Sequence, residues 1–231
     1  MEKLMLNSIY RATEGEGIHV GTPQVFVRFQ GCNIGCVNCD STDTWEFEDL
    51  LGMTMEKVLV DVHEKANKGR IRRVSITGGD PLHPKHVPMV KKLVRELKAR
   101  RYFINLEASG ARLVHEVFDA IDFISFDYKT PSTGVKTPLE NIKQLAEQYQ
   151  GRFQIKSVIE NEDDFRYVLR AAEQLGDFDF PWVLTPAFNL GELLPFERFK
   201  KIIQWNEESG ALFRVIAQQH KVIHGAEKKQ V

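Results

Sequence analysis

All three cysteines of this 231-residue chain stand within one stretch, Gly31-Cys32-Asn33-Ile34-Gly35-Cys36-Val37-Asn38-Cys39-Asp40. An odd number of thiols cannot all pair as disulfides. Nothing N-terminal reads as a secretory signal, so a reducing, cytoplasmic setting is expected. Thiolates this close together suit a soft metal or an iron–sulfur cluster. With C-x3-C-x2-C spacing, a cubane [4Fe–4S] cluster would take three protein thiolates and leave one iron open. The alternative is a single zinc held by the same thiolates, with His19 arriving from a distance as fourth ligand. The spacing differs from the paired C-x2-C of zinc ribbons.

The rest of the chain must supply a scaffold for that loop. Its length fits one domain, and 42% hydrophobic with 27% charged residues is ordinary for a globular protein. A net charge of −1 gives no electrostatic footprint for nucleic acid. No apolar run reaches the roughly 20 residues of a membrane span. No repeat or low-complexity segment is visible, and 227–231 reads as a short polar tail.

The pattern alternates. Strands are expected at 24–29, 74–77, 103–107, 123–127, 153–158, 182–184 and 212–216. Helices are expected at 55–68 with Thr54 as N-cap, at 85–100, 112–120, 162–175 and 195–209, and at 137–148 with Pro138 in the first helical position. Such alternation predicts a parallel α/β sheet with right-handed crossovers. About six units suit a partial (β/α)6 barrel, whose functional groups sit at the C-terminal strand ends. The cysteine loop, Gly78-Gly79-Asp80, Glu107, Asp127-Tyr128-Lys129 and Thr185-Pro186 all fall there. Strand ends carry Gly, Pro and Asp as turns in any case; the cysteine loop at the first end favours a ring of site residues.

C-x3-C-x2-C after an apolar strand resembles the cluster loop of radical S-adenosylmethionine (SAM) enzymes. That resemblance implies a radical SAM-type partial (β/α)6 barrel with a [4Fe–4S] cluster on Cys32, Cys36 and Cys39. SAM would chelate the open iron and be cleaved to methionine and a 5′-deoxyadenosyl radical. Thr77-Gly78-Gly79-Asp80 resembles the Gly-Gly-Glu motif that holds the SAM amino group, with Asp80 one methylene shorter than the usual Glu. The resemblance further implies SAM contacts from Asn38, Cys39, Asp40 and Gly79, from Glu107, and from Ser125, Asp127, Tyr128 and Lys129.

Ser8 to Gly17, Gly21-Thr22-Pro23, Phe26 to Asn33, Cys39-Asp40-Ser41-x-x-Thr44-Trp45 and Gln218-Gln219-His220-Lys221 together resemble the 7-carboxy-7-deazaguanine synthase family. The implied reaction converts 6-carboxy-5,6,7,8-tetrahydropterin to 7-carboxy-7-deazaguanine with loss of ammonia, for queuosine-type 7-deazapurines, using SAM catalytically. Thr13, Glu14, Gly15 and Glu16 would meet the pterin edge, with Glu14 standing where the family usually has Gln. Arg28 would fork onto the substrate carboxylate. Thr77 and His220 would touch substrate, with Lys221 beside His220, and Ser41 would ligate Mg²⁺. The resemblance also implies a single domain over 1–231, with a substrate and cluster segment at 8–45 and a capping segment at about 212–231. It implies a homodimer and an electron donor such as flavodoxin or ferredoxin, with no nucleic acid or membrane partner. The competing readings are an activating enzyme for a glycyl-radical protein, or another small maturase, and a non-catalytic metal-binding module.

Overall fold

The computed structural model describes residues 3–48, 51–189, 191–192 and 194–231. In chain order its elements begin with β1 (Leu4–Thr13), β2 (Pro23–Phe29), β3 (Gly52–Met53), α1 (Met55–Lys65), β4 (Arg73–Gly78), α2 (Val87–Ala99) and β5 (Phe103–Ala108). There follow α3 (His115–Phe118), β6 (Phe123–Asp127), α4 (Leu139–Gln148), β7 (Phe153–Ile159), α5 (Glu162–Leu175), β8 (Trp182–Pro186), α6 (Phe196–Glu208), β9 (Arg214–Val215) and α7 (Gln219–His224).

Among the described residues nine strands form one sheet in the order β3-β1-β2-β4-β5-β6-β7-β8-β9, whose two edges do not pair with each other. From β2 to β9 every pairing is parallel. Six strand–helix units followed by β9 make the partial barrel that the alternation predicts. The helices cover the outer face. In α2 the buried Val90, Leu93, Val94 and Leu97 form one stripe against the sheet. Strand β6 is buried on both faces through Phe123, Ile124, Ser125 and Phe126, as a central parallel strand must be.

Side chains alternate along a strand, so the parallel register stacks the inner face in layers. Arg28 lies opposite Thr77, Glu107 opposite Ser125, and Asp127 opposite Lys156. Further in, the Asn105 amide donates to Ser75 Oγ at 2.9 Å, and beside Glu107 the Gln154 amide donates to Ser125 Oγ at 2.8 Å. The interior is therefore polar beneath the strand ends and apolar behind them.

Four expectations change. Strand β1, which pairs antiparallel with β2, falls on residues for which the alternating pattern predicts no element. Buried Leu4, Leu6 and Tyr10 alternate with half-exposed positions, and a register shift between Leu6 and Ser8 breaks the period. Helix α3 is four residues rather than the span 112–120, because Val114 is extended (φ −126°, ψ 83°) and Arg112 points back to Asp80. Helix α4 starts at Leu139, with Pro138 extended as its N-cap. Thr137 accepts from Lys129 N, which ties it to the loop after β6. The last strand shrinks to Arg214–Val215.

Trp182 is 1% exposed and donates from Nε1 to Ser157 Oγ at 3.1 Å. Trp182→Ala is expected to cost about 3–5 kcal/mol, read as a lower urea midpoint with unchanged slope.

Candidate active site

The cysteine loop leaves the C-terminal end of β2. Its first thiol is fixed by Cys32 N donating to Trp45 O at 3.0 Å, and its middle by Val37 N donating to Thr133 O at 2.9 Å. Cys32, Cys36 and Cys39 all line one cavity of about 270 Å³. Cys39 Sγ accepts from Ser41 N and Trp45 Nε1, each at 3.4 Å. Hydrogen bonds to sulfur of this kind set the potential of a cluster. Burial pushes the Cys32 and Cys36 thiols above their ordinary range, so loading a metal there releases protons. Among the described residues no group of three or more His, Cys, Asp or Glu could hold a single metal ion. His19 lies at the other end of the barrel, where its Nδ1 meets Arg73 Nη2 at 2.6 Å and its ring abuts Phe123. Three thiols on one cavity, with His19 held away from them by Arg73, fit a cluster better than one zinc.

Gly78 ends β4 at φ 131°, and a Cβ there would lie 2.2 Å from Phe29 O. That close approach brings the backbone of Gly79 to the cavity wall. Asp80 behaves otherwise. Its carboxylate is fully buried, accepting from Arg112 Nη1 at 2.6 Å and Leu82 N at 3.1 Å, and it does not line the cavity. The shorter acid caps its own turn, behind the Gly79 backbone rather than on the cavity wall. Ser125, opposite Glu107, is fully buried and accepts from Gln154 Nε2 at 2.8 Å. Asn38 and Tyr128 line a second cavity of about 180 Å³, which shares Cys36, Cys39, Asp40, Asp127 and Lys129 with the first. The Tyr128 ring stacks on Tyr167. Lys129 Nζ pairs with Asp127 Oδ2 at 2.6 Å. Although burial opposes its charge, Asp127 and Cys36 hold it well above the usual lysine range.

The segment after β1 forms the cavity floor. Gly15 is there because the His220 ring lies against it: a Cβ would come within 2.0 Å of His220 Nδ1. Thr13, Glu14, Gly15, Glu16 and His220 all reach the cavity. Glu16 accepts from Gln218 Nε2 at 2.6 Å and Lys156 Nζ at 3.1 Å. Burial works against its charge, yet Lys156, His220 and that hydrogen bond bring it down to about 2. Glu14 goes the other way, pushed up to about 7 by burial and by the Glu107 charge. It is held by Gln24 Nε2 at 2.6 Å; Gln24 Oε1 in turn accepts from Arg73 Nε at 3.1 Å.

Arg28 donates from Nη1 to Ser41 Oγ at 3.1 Å and from Nη2 to Tyr10 OH at 3.0 Å. Ser41 Oγ donates to Asp40 Oδ1 at 3.1 Å, and Lys221 Nζ pairs with Asp40 Oδ2 at 2.7 Å. Although burial opposes it, Lys221 holds the Asp40 carboxyl well below the usual range. Thr77 and Glu107 complete the wall, and residues 226 and 228–231 lie across it. Sequence reasoning missed Tyr10, Gln24, Lys156 and Gln218. A lysine amid the apolar strand Phe153 to Val158 was the available signal for Lys156.

A model of the 4Fe-4S single cluster domain matches residues 13–115. In backbone the chain resembles the crystal structure of QueE from Escherichia coli, with TM-score 0.69 and 20% identity over 94% of this chain and 95% of that one. It also resembles Streptococcus suis SuiB, with TM-score 0.56 and 11% identity over 85% of this chain and 48% of that one. Fold, cluster domain and site together define an iron–sulfur enzyme of the radical SAM class. Among curated relatives, 7-carboxy-7-deazaguanine synthase of Koribacter versatilis is 31% identical over 75% of this chain and 72% of its own. The enzyme of the same name from Archaeoglobus fulgidus is 25% identical over 94% of this chain and 97% of its own. The chain belongs to the 7-carboxy-7-deazaguanine synthase family.

Two measurements test the site. Cys36→Ala is expected to lose bound iron and sulfide after anaerobic reconstitution while its circular dichroism stays that of the parent. Glu14 binds its proton more tightly folded, at about 7, than unfolded at 4.5. Native stability attributable to it therefore falls as pH rises from 4.5 to 7. Glu14→Gln should gain in unfolding free energy relative to the parent as pH rises through that window, by about 3 kcal/mol at the alkaline side, read from urea unfolding at each pH.

Proposed function

We propose that the chain converts 6-carboxy-5,6,7,8-tetrahydropterin to 7-carboxy-7-deazaguanine with loss of ammonia, as a carbon–nitrogen lyase serving queuosine-type 7-deazapurine biosynthesis. The observation that carries this is one cavity holding the three-thiol loop together with Arg28 and the acids Glu14, Glu16 and Glu107. When bound, the [4Fe–4S] cluster and SAM supply an electron and a 5′-deoxyadenosyl radical able to take a hydrogen from the substrate.

The chain's own residues do the rest. Cys32, Cys36 and Cys39 hold the cluster and leave one iron for SAM. Gly79, Asp127 and Lys129 line the wall beside the thiols, where a methionyl amine and carboxylate need an acceptor and a cation. Arg28 lends its fork to the substrate carboxylate, and Tyr10 keeps that fork in plane. Glu16 and Glu107 accept from the N–H edge of the pterin, while Glu14, poised near neutrality, holds or releases a proton at its carboxyl. His220 covers the floor against Gly15. Ser41 offers Mg²⁺ a hard oxygen with Asp40 beside it, and magnesium keeps waters for its other positions.

In this reading residues 1–231 act as one domain, in a cytoplasmic homodimer reduced by flavodoxin or ferredoxin. Among the described residues no helix is long and apolar enough to cross a membrane. The glycyl-radical activase reading needs a cavity open to a protein loop; here residues 226 and 228–231 lie across the wall, which suits a small molecule.

The test is anaerobic turnover of reconstituted protein with SAM, Mg²⁺, dithionite and 6-carboxytetrahydropterin. Formation of 7-carboxy-7-deazaguanine without net SAM loss is expected; SAM cleavage without that product would reject the substrate. Arg28→Ala should weaken apparent substrate affinity about ten- to hundredfold, and an unchanged KM would remove Arg28 from the pocket.

A further inference from the structure

Lys156 has no part in cluster or SAM binding as described so far, yet it is the central cation of the cavity. Lysine is seldom buried unless paired, and this side chain is 12% exposed. Its Nζ lies 2.7 Å from Glu107 Oε2, 3.1 Å from Glu16 Oε2 and 3.9 Å from Asp127 Oδ1. These acids come from β5, from the segment after β1 and from β6. Pairing with β6 and β8 on either side fixes the backbone that carries it. The remaining charged groups that bear on it are Glu14 from the same segment as Glu16, His220 from α7 and Lys129 from the loop after β6.

Each of the two nearest acids is already met by one further protein donor. Gln218 Nε2 reaches Glu16 Oε1 at 2.6 Å, and Asn105 Nδ2 reaches Glu107 Oε1 at 2.7 Å. Asn105 gives its amide hydrogens to Ser75 and Glu107 and leaves its own Oδ1 buried without a partner. The fold thus accepts an unpaired carbonyl in order to hold Glu107. A carboxylate offers about four acceptor sites, so each acid keeps capacity directed at the cavity. Without a cation between them, two carboxylates in so dry a place cannot both ionise. One would take a proton and become a donor.

We propose that Lys156 is a positioning and specificity-determining residue: its ammonium, shared by Glu16 and Glu107, keeps both as acceptor-only carboxylates and so selects a substrate that presents an N–H donor edge. The ligand class is a 2-aminopteridine, as against a 2-oxo pteridine that offers an acceptor at the same place. This rests on the pterin reading above and deepens it.

The test uses binding, followed by quenching of ligand fluorescence on the reconstituted protein, with 6-carboxypterin and 6-carboxylumazine as probes between pH 6 and 8. The parent should bind the pterin in preference to the lumazine, with a pH profile that carries only the Glu14 transition near 7. Lys156→Met should lose about tenfold in pterin affinity, lose the preference, and add a further pH dependence to that profile. Lys156→Arg should restore the parental profile. The double variant Glu16→Gln/Lys156→Met relieves the buried repulsion, so it should fold even where Lys156→Met does not, and should still lack the preference. Iron content should be that of the parent in all of them. If Lys156→Met or the double variant keeps parental affinity, pH profile and preference, the inference falls while parental turnover leaves the pterin reading standing. A parent that neither binds the pterin nor forms product overturns both.

Discussion

Parallel register is the constraint on which the rest of this protein depends. Because β2, β4, β5, β6 and β7 pair in parallel, Arg28 opposite Thr77, Glu107 opposite Ser125 and Asp127 opposite Lys156 all arrive on the same face, with Asp127 and Lys156 one step nearer the strand ends than Glu107. A slip of one residue in any strand would turn its contribution outward into the helix layer. The apolar outer face, packed by residues such as Val90, Leu93 and Trp182, pins that register. The core therefore does more than stabilise: it decides which polar side chains can meet.

What meets there is a dry arrangement of opposite charges. Lys156 serves Glu16 and Glu107, Lys129 serves Asp127, Lys221 serves Asp40, and Arg28 bridges Ser41 and Tyr10. Glu14 alone among the floor acids is left without a direct cation, and it is the one pushed up toward neutrality. In a low-dielectric site, the placement of each cation determines which acid stays charged. The cysteine loop is built into the same network, since Asp40 and Ser41 follow its last thiol. Cluster loop and substrate floor are thereby one electrostatic unit.

Much of this was readable from residues. Strong helical stripes such as that of α2 and runs such as Phe123 to Asp127 carry their period plainly, and the thiol spacing carries its chemistry. The illegible parts share a physical reason: they depend on partners distant in sequence. Nothing local tells that Asp80 will be claimed by Arg112, or that Ser125 will be covered by the Gln154 amide. Lys156 stands out as a lysine in an apolar strand, but its acid partners emerge only once that strand is placed between β6 and β8. Strand β1 hides because its pairing with β2 contains a shift, so no single period runs through it.

The chain Glu14–Gln24–Arg73–His19 has a direction. A guanidinium only donates, so Arg73 obliges Gln24 to present its oxygen downward and its amide hydrogens upward to Glu14, and obliges His19 to carry its proton on Nε2. The sense of each hydrogen bond in that chain is thus dictated by one residue at the start of β4. An amide that would otherwise be free to flip is given a fixed polarity by a group that no ligand in the cavity ever touches.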